Sequence, residues 1–169
     1  MSGGAMKAEE IIGTFGGVGL LRPAPGTWGS LVALPFAWGL YHMGGLLLFL
    51  GAILVVFAAG FWATIQITTG NGDPDPSRVV VDEVAGQWIA LFPVLYGASF
   101  AGADLLRLWP GWVVAFFAFR LFDIWKPWII GWADRRHDPL GVMLDDALAG
   151  VFAALVVILL GALYHVFLT

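Results

Sequence analysis

Long apolar stretches separated by short polar segments make up most of the chain. No Asp, Glu, Lys or Arg occurs between Arg22 and Asp73. This interval has room for two membrane-spanning helices, since each needs about 20 mostly apolar residues. Paired glycines within residues 42–45 are expected to break the helical pattern between the two. With three later stretches, the pattern predicts five apolar segments, at residues 27–41, 46–68, 84–103, 112–130 and 147–169.

The composition supports a membrane protein built from helices. Hydrophobic residues make up 60% of the chain and charged residues only 12%, whereas a soluble globular domain carries about 25% charged residues. We therefore expect an all-α fold, a polytopic membrane helical bundle whose first segment is short or re-entrant. No long linker or tandem repeat divides the chain, so one domain is expected over residues 1–169. The first dozen residues lack the apolar run of a cleavable signal peptide, so none is expected.

Net charge and cysteine count exclude several kinds of function. The formal net charge is −4, whereas nucleic-acid-binding proteins concentrate Lys and Arg on one face. We therefore expect no nucleic-acid partner. The chain has no cysteine, which excludes disulfides, thiolate metal sites and cysteine nucleophiles. The bilayer is the first partner that the composition implies.

Basic residues are distributed unequally between the two sides of the predicted bundle. Threading the five segments alternately through a bilayer places the N-terminal segment and residues 70–81 and 132–144 on one side. Arg107 is the only basic residue on the other side. An excess of Lys and Arg marks the cytoplasmic side of a membrane protein. The first side is therefore predicted to be cytoplasmic, and its basic residues are Lys7, Arg22, Arg78, Lys126, Arg135 and Arg136.

Two pairs of carboxylates gather on that same side. Asp82 and Glu83 open the third segment, and Asp145 and Asp146 open the fifth. One such pair alone is as well explained by helix capping, because acidic residues stabilise a helix N-terminus. Two pairs on one membrane face favour a site. If the two ends meet, their oxygen atoms suit a hard cation such as Mg²⁺.

A glycine lies four residues after one acid of each pair. Gly86 lies four residues after Asp82, and Gly150 lies four residues after Asp146, so each glycine shares a helix face with its acid. A small residue at such a position allows a neighbouring helix to approach closely. The spacing therefore predicts that the third and fifth segments cross near their acidic ends.

The fourth segment carries ionisable residues within an apolar stretch. Arg120 and Asp123 are three residues apart and can pair on one helix face. Charged groups inside a bilayer usually face the bundle interior and serve a function. Pro127 should kink or end the helix near Lys126 and so release that lysine to reach along the interface. The alternative is a structural ion pair beside a lysine that extends to the interface.

The first segment begins with a rigid turn that contains two hydroxyl residues. Thr27 and Ser30 lie within the Pro-Gly-rich residues 23–31. Exposed backbone N–H groups at such a helix start suit a phosphate. Ordinary capping explains the same residues, and the segment matches neither a P-loop nor a dinucleotide fingerprint. The hydroxyls are therefore secondary candidates for substrate binding.

Five motifs, distributed over most of the chain, resemble those of the bacterial phosphatidylglycerophosphatase A family and occur in the same order. They are Gly17-Val18-Gly19-Leu20, Pro25-Gly26-Thr27-Trp28-Gly29-Ser30-Leu31, Asp82-Glu83 with Gly86 and Trp88, Phe119-Arg120 with Asp123-Ile124-Trp125-Lys126-Pro127-Trp128, and Asp145-Asp146 with Gly150. The resemblance implies a Mg²⁺-dependent phosphatase of the bacterial inner membrane that faces the cytoplasm. It would convert phosphatidylglycerol phosphate to phosphatidylglycerol and inorganic phosphate in phosphatidylglycerol biosynthesis. The chain departs from the family at Ile129 and at Asp138-Pro139.

The resemblance also implies roles for individual residues. The acidic, catalytic set would be Asp82, Glu83, Asp123, Asp145 and Asp146. Mg²⁺ would be held by Asp82, Glu83, Asp145 and Asp146, and the phosphate of the substrate by Thr27, Ser30, Arg120 and Lys126. A phosphate monoester carries nearly two negative charges, so its hydrolysis requires charge neutralisation around phosphorus and an aligned nucleophile.

Several alternatives stay open at this point. The nucleophile is either a water activated beside the metal or one of the aspartates at positions 82, 123, 145 and 146. His137 is a minor candidate for protonating the leaving oxygen. A small cation-coupled transporter would also place acids and an arginine in the membrane, and a structural subunit is a third reading. Glycine-rich helix faces allow helices of two copies to pack closely, so a homo-oligomer is a further alternative.

Overall fold

The computed structural model describes residues 6–71, 73 and 75–168, and all regular elements in them are helices. The predicted all-α class is therefore confirmed. Short 3-10 turns lie at Val18–Leu20 and Leu105–Leu108. The α-helices are α1 (Ala8–Gly13), α2 (Pro25–Asn71), α3 (Val81–Ala101), α4 (Trp109–Trp125), α5 (Ile129–Asp134) and α6 (Pro139–Leu168).

Helix α2 is a hairpin of two arms, residues 25–43 and residues 46–71. Its backbone is non-helical at Gly44 and at Gly45, where φ is 65°, a value that glycine adopts without steric cost. A Cβ atom on Gly29 of the first arm would lie 3.0 Å from Val80, and one on Gly60 of the second arm would lie 2.9 Å from Val81. The start of the first arm and the second half of the second arm therefore both lie beside the start of α3. The predicted break at residues 42–45 is confirmed.

Within the described part of the chain, four helices are long and apolar enough to cross a membrane. The first two predicted segments are the two arms of the first of these helices, so about five segments correspond to four helices. The last residue of the predicted fifth segment, Thr169, lies outside the described residues. The four helices are Pro25–Thr69, Val81–Ala101, Leu105–Trp125 and Pro139–Phe167.

Helix α3 lies at the centre of the bundle and contacts α2, α4 and α6. The Trp88 indole N–H donates to the Ala33 carbonyl oxygen at 2.8 Å, and the Trp88 ring lies 5.9 Å from that of Phe49. The hydrogen bond satisfies a buried polar group and joins the first arm of α2 to α3, and the ring contact joins the second arm to α3. The core is built around this contact.

Helices α3 and α6 cross at the two glycines that the sequence singled out. A Cβ atom on Gly86 would lie 2.5 Å from the backbone oxygen of Asp146, and one on Gly150 would lie 2.3 Å from the backbone oxygen of Gly86. Only glycine permits backbones this close. The predicted approach of the two helices is confirmed.

Helix α6 begins eight residues before the predicted start at residue 147. The Asp138 carboxylate accepts a hydrogen bond from the Gly141 N–H at 2.6 Å, and Pro139 occupies the first helical position. An Asp cap followed by Pro is a strong helix start. The expectation that Asp145 and Asp146 open the helix is therefore wrong, since they lie in its second turn.

Helix α4 is shorter than the predicted segment at residues 112–130. It ends at Trp125, and Lys126 adopts a left-handed conformation with φ of 49°. Pro127 follows and cannot continue the helix. The predicted end near Lys126 is confirmed, but residues 129–130 belong to the separate helix α5, which packs on α6.

The loop before α3 is anchored to α1. The Arg78 guanidinium donates to the two carboxylate oxygens of Glu10 at 3.1 and 3.2 Å. The Val80 N–H donates to the Gly13 carbonyl oxygen at 2.8 Å. These contacts hold the start of α3 in place, and Arg78 takes its partner outside the predicted site.

Candidate active site

A pocket of about 350 Å³ opens at one end of the bundle. The start of the first arm of α2, the start of α3, the end of α4 and the second turn of α6 surround it. Chain segments that are far apart in sequence therefore meet there, and the acid–glycine spacing predicted this meeting for α3 and α6. The ionisable candidates that line it are Asp82, Glu83, Arg120, Asp123, Lys126, Asp145 and Asp146.

Three carboxylates form the most compact group in this pocket. One oxygen each from Asp82, Glu83 and Asp146 lies within 4.8 Å of the others. Asp82 is 7% exposed and Asp146 is 3% exposed. Like charges this close and this poorly hydrated repel one another unless a cation or proton lies between them. Oxygen ligands at this spacing suit Mg²⁺.

Glu83 adds an independent indication of a cation-binding site. Its Oε2 atom is buried and has no hydrogen-bond partner in the described part of the chain. A buried carboxylate oxygen without a donor costs free energy unless a ligand or water satisfies it. The residues therefore fit a cation held by Asp82, Glu83 and Asp146.

Arg120 is oriented toward these acids by two neighbours. Its Nη1 atom lies 2.5 Å from the Asp123 carboxylate, as the three-residue spacing predicted, and 3.5 Å from the Ser30 hydroxyl. Asp123 in turn interacts with Asp146. The Arg120 Nε atom is buried without a partner among the described residues. An unsatisfied guanidinium donor beside a cation site is suited to a phosphate oxygen.

Lys126 lies between two carboxylates. Its ammonium donates to Asp145 Oδ2 at 2.7 Å and to Asp134 Oδ1. Burial lowers the pKa of Lys126, but the hydrogen bonds to Asp134 and Asp145 outweigh burial and hold that pKa well above its usual value. The ammonium therefore stays protonated. Asp145 takes Lys126 as its partner and is not part of the compact group of three carboxylates.

The start of α2 contributes backbone to the pocket wall. Gly26 lines the pocket, and a Cβ atom there would lie 2.1 Å from Glu83 Oε1 and 3.3 Å from Arg120 Nη1. Ser30 is fully buried and donates to the Gly26 carbonyl oxygen at 2.9 Å. Among the described residues, the lining of the pocket includes neither Thr27 nor Ser30. Their role as substrate ligands stays a prediction.

Sequence reasoning missed several polar residues in or near this pocket, among them Asp134 and Gln87. Asp134 lines it and reaches Lys126 because the chain reverses between α4 and α5. Gln87 is fully buried one turn beyond Glu83, and neither of its amide atoms has a partner in the described residues. A lone polar residue in an apolar helix was the available signal for Gln87. His137 lines the pocket mouth.

The arrangement can neutralise and orient a phosphate monoester. Bare carboxylates would repel it, but Asp82, Glu83 and Asp146 would hold a divalent cation, which would supply charge neutralisation at the phosphate. Arg120 and Lys126 are the cationic side chains in the pocket wall. Positioned positive charge of this kind is the main requirement of phosphoryl transfer.

Comparison with known proteins points the same way. The family described as Phosphatidylglycerophosphatase A matches residues 11–161. A Bacteroides thetaiotaomicron protein named "Putative phosphatidylinositol-3-phosphatase" is 40% identical over 87% of this chain and 89% of its own. A protein named Phosphatidylglycerophosphatase A from Escherichia coli K12 is 35% identical over 86% of this chain and 78% of its own. A protein of the same name from Haemophilus influenzae Rd is 36% identical over 83% of this chain and 81% of its own. No solved structure matches the chain.

Proposed function

Since the chain belongs to the phosphatidylglycerophosphatase A family, we propose that it hydrolyses phosphatidylglycerol phosphate to phosphatidylglycerol and inorganic phosphate with Mg²⁺ as cofactor. The observation that carries this proposal is the group formed by Asp82, Glu83 and Asp146, which shares one pocket with Arg120. The reaction would supply phosphatidylglycerol to the membrane in which the enzyme lies.

The three carboxylates are the proposed holders of Mg²⁺, which when bound supplies charge neutralisation at the phosphate. Arg120 binds phosphate oxygens through donors that its contacts with Asp123 and Ser30 leave free. Its orientation is set before substrate arrives, so little reorganisation is needed. Asp123 acts here as the residue that fixes the guanidinium.

Lys126 supplies a second positive charge in the pocket wall. Asp134 and Asp145 hold its ammonium, so it attracts the phosphate from a fixed position. The proposed role of Asp145 is therefore to position Lys126, and not to bind the metal. Lys126 adds Coulomb attraction but no bidentate geometry, which Arg120 provides.

The proposed nucleophile is a water molecule deprotonated by one of the pocket carboxylates. An aspartyl-phosphate is the alternative route. Acid quenching during turnover of substrate labelled in its phosphate distinguishes them, because only the second route leaves label on the protein. His137, at the pocket mouth, is the proposed minor contributor of a proton to the leaving oxygen.

The position of the pocket at the helix ends suits a lipid substrate. Acyl chains remain in the bilayer while the phosphorylated head enters the pocket at the helix ends. The pocket volume of about 350 Å³ is at the small end of ligand sites, which favours a glycerol head over an inositol ring. The relative named for phosphatidylinositol 3-phosphate makes that lipid the second candidate substrate.

A membrane orientation follows from the basic residues of the site end. Six Lys and Arg residues flank the helices there, against Arg107 at the far end. We place the pocket at the cytoplasmic face of the bacterial inner membrane on this ground. The bilayer and the lipid substrate are the proposed partners, and a homo-oligomer stays a prediction.

A cation-coupled transporter would need charged side chains along a path through the bilayer. The middle of every long helix is free of Asp, Glu, Lys and Arg, since residues 84–103, 108–119 and 147–169 contain none. Arg120 and Asp123 belong to the pocket at one end. The charge distribution therefore favours an enzyme over a transporter.

The proposal is tested by phosphate release from liposomes that contain the full-length protein. We expect release from phosphatidylglycerol phosphate with Mg²⁺ and none with EDTA. Phosphatidylinositol 3-phosphate in matched liposomes should be hydrolysed more slowly. Faster hydrolysis of the inositol lipid would overturn the substrate proposal, and full activity in EDTA would overturn the metal proposal.

A further inference from the structure

A second cavity lies at the opposite end of the bundle, between α3, α4 and α6. Its volume is about 710 Å³, roughly twice that of the site pocket. The far half of α3, the first turns of α4 and the last turns of α6 form its walls. Most of its lining residues are apolar, so the chemistry of the active site does not extend into it.

Small side chains keep this cavity open. Pro93, Gly97 and Ala101 are spaced four residues apart along α3 and so lie on one face. Gly161 faces the same space from α6. A Cβ atom on Gly97 or on Gly161 would meet nothing within 4 Å. The cavity therefore has free room at both walls.

The surroundings of the cavity are those of a bilayer-exposed surface. Phe100 of α3 is 85% exposed, and Leu159 and Val166 of α6 are 58% and 74% exposed. In a membrane these side chains meet lipid. An apolar cavity beside them does not hold ordered water, because water there finds no polar partners. An acyl chain is the apolar group that the bilayer supplies to fill it.

Arg107 places a positive charge at this cavity. It is one of the lining residues and is exposed. The nearby Asp104 carboxylate accepts from the Leu106 N–H at 2.8 Å, and the described residues include no ion pair to Arg107. Basic pockets between membrane helices bind anionic lipid head groups. Tyr164 also lines the cavity, and tyrosine is enriched at the membrane–water interface.

We propose that this cavity, hereafter the far cavity, binds an anionic phospholipid from the leaflet opposite the active site. One acyl chain occupies the apolar space between α3, α4 and α6, and the lipid phosphate pairs with Arg107. The charge of Arg107 favours a lipid over a second copy of this chain, since the described side chains at that end offer only Asp104 as an acid. The proposal does not depend on the reaction at the other end.

The test uses native mass spectrometry of the full chain in mild detergent with added phosphatidylserine or phosphatidylcholine of the same acyl chains. Neither lipid carries a phosphate monoester, so the active site does not consume them. We expect about fivefold preference for phosphatidylserine, the effect of one basic residue at a lipid surface. Arg107→Gln should remove that preference, and Arg22→Gln, at the site end, should retain it.

A variant whose side chain fills the cavity provides the second part of the test. Gly161→Leu should occupy the far cavity and reduce retention of both lipids, whereas Gly51→Leu, at an equally open glycine on α2, should not. Equal preference in wild type and Arg107→Gln would overturn the proposal, even if Gly161→Leu failed to fold. A wild-type dimer without bound lipid that Gly161→Leu converts to a monomer would overturn it in favour of a second copy.

Discussion

The backbone of Gly86 in α3 lies directly against Gly150 in α6, so that a Cβ atom on Gly150 would come within 2.3 Å of the Gly86 carbonyl oxygen. This contact is one turn from Asp82 and Asp146, which belong to the compact carboxylate group. The distance between two acids that are remote in sequence is thus set by two residues without side chains. The cation site depends on helix packing as much as on its ligands.

Replacing Gly150 with alanine is therefore expected to separate the acids. The new methyl group meets backbone, which cannot rotate away, so α3 and α6 must shift. We expect about 1–3 kcal/mol lower stability and up to about 100-fold lower activity, since small displacements of catalytic groups are costly. Thermal unfolding in detergent and phosphate release measure the two effects. Gly51→Ala, with open space around it, is the control, and equal activity of both variants would contradict the argument.

Loss of one carboxylate should abolish phosphate release and the effect of Mg²⁺ on the melting temperature without unfolding the protein. In Asp82→Asn and Asp146→Asn we expect phosphate release to fall below detection, because the cation loses a charged ligand. The same variants should be at least as stable as wild type without Mg²⁺, since repulsion within the group decreases. Mg²⁺ should raise the melting temperature of wild type but not of the variants. Asp104→Asn, at the far end, is the matched control, and a retained Mg²⁺ shift in Asp146→Asn would exclude Asp146 as a ligand.

The pair formed by Lys126 and Asp145 should be coupled energetically. The Asp145 side chain is only 9% exposed, so Lys126→Met leaves a poorly hydrated charge without its partner. Breaking such a pair is strongly destabilising, whereas removing both charges is much less so. We expect Lys126→Met/Asp145→Asn to be more stable than Lys126→Met alone. Melting temperatures of the two single variants and the double variant complete the cycle, and simple additivity would contradict a direct pairing.

The parts of the fold that depend on local backbone chemistry could be predicted from sequence. The break at Gly44 and Gly45 and the end of α4 before Pro127 both follow from residues that a helix does not tolerate. The start of α6 was misplaced because the apolar run begins only after Asp146. The local signal for the observed start is Asp138-Pro139, a polar cap followed by proline, which lies before the apolar run.

The meeting of the acids and the Arg120–Asp123 pair could also be predicted, but the pairing of Lys126 with Asp134 and Asp145 could not. Equal acid–glycine spacing in two segments implied a close crossing at the acidic ends. Whether the Lys126 ammonium contacts Asp134 depends on where α5 lies, because Asp134 is in that helix. That position follows from the turn at Trp128, with φ of 46° and ψ of −113°, and no local pattern specifies such angles. Contacts across a turn of this kind are tertiary information.

The cap of α6 should make stability depend on acid pH through Asp138. Hydrogen bonds from the Arg136 guanidinium and from the Gly141 N–H lower the pKa of Asp138 below its ordinary value of 3.8. A lowered folded-state pKa stabilises the protein above the unfolded pKa, and this contribution is lost as pH falls from about 4 through the folded value. Asp138→Ala should cost about 0.5–2 kcal/mol at neutral pH, and Asp138→Asn much less, since Asn also caps.

Melting temperatures between pH 3 and pH 7 check this assignment. Wild type should lose stability below about pH 4 more steeply than Asp138→Asn, because only the aspartate changes charge there. Other carboxylates titrate equally in both proteins, so the difference between the two curves isolates Asp138. Parallel curves would mean that folding leaves the pKa of Asp138 unchanged and would contradict the assignment.

The orientation of the bundle is open to a direct measurement, because the chain contains no cysteine. Arg135→Cys lies at the site end and Leu106→Cys at the far end, and both residues are exposed and outside the site pocket. If the excess of basic residues faces the cytoplasm, a membrane-impermeant maleimide added to spheroplasts should label Leu106→Cys at once. It should label Arg135→Cys only after the membrane is permeabilised. Both variants should keep phosphatase activity, which shows that they are folded. The opposite labelling order would place the pocket on the outer face and would require the substrate to reach it from that leaflet.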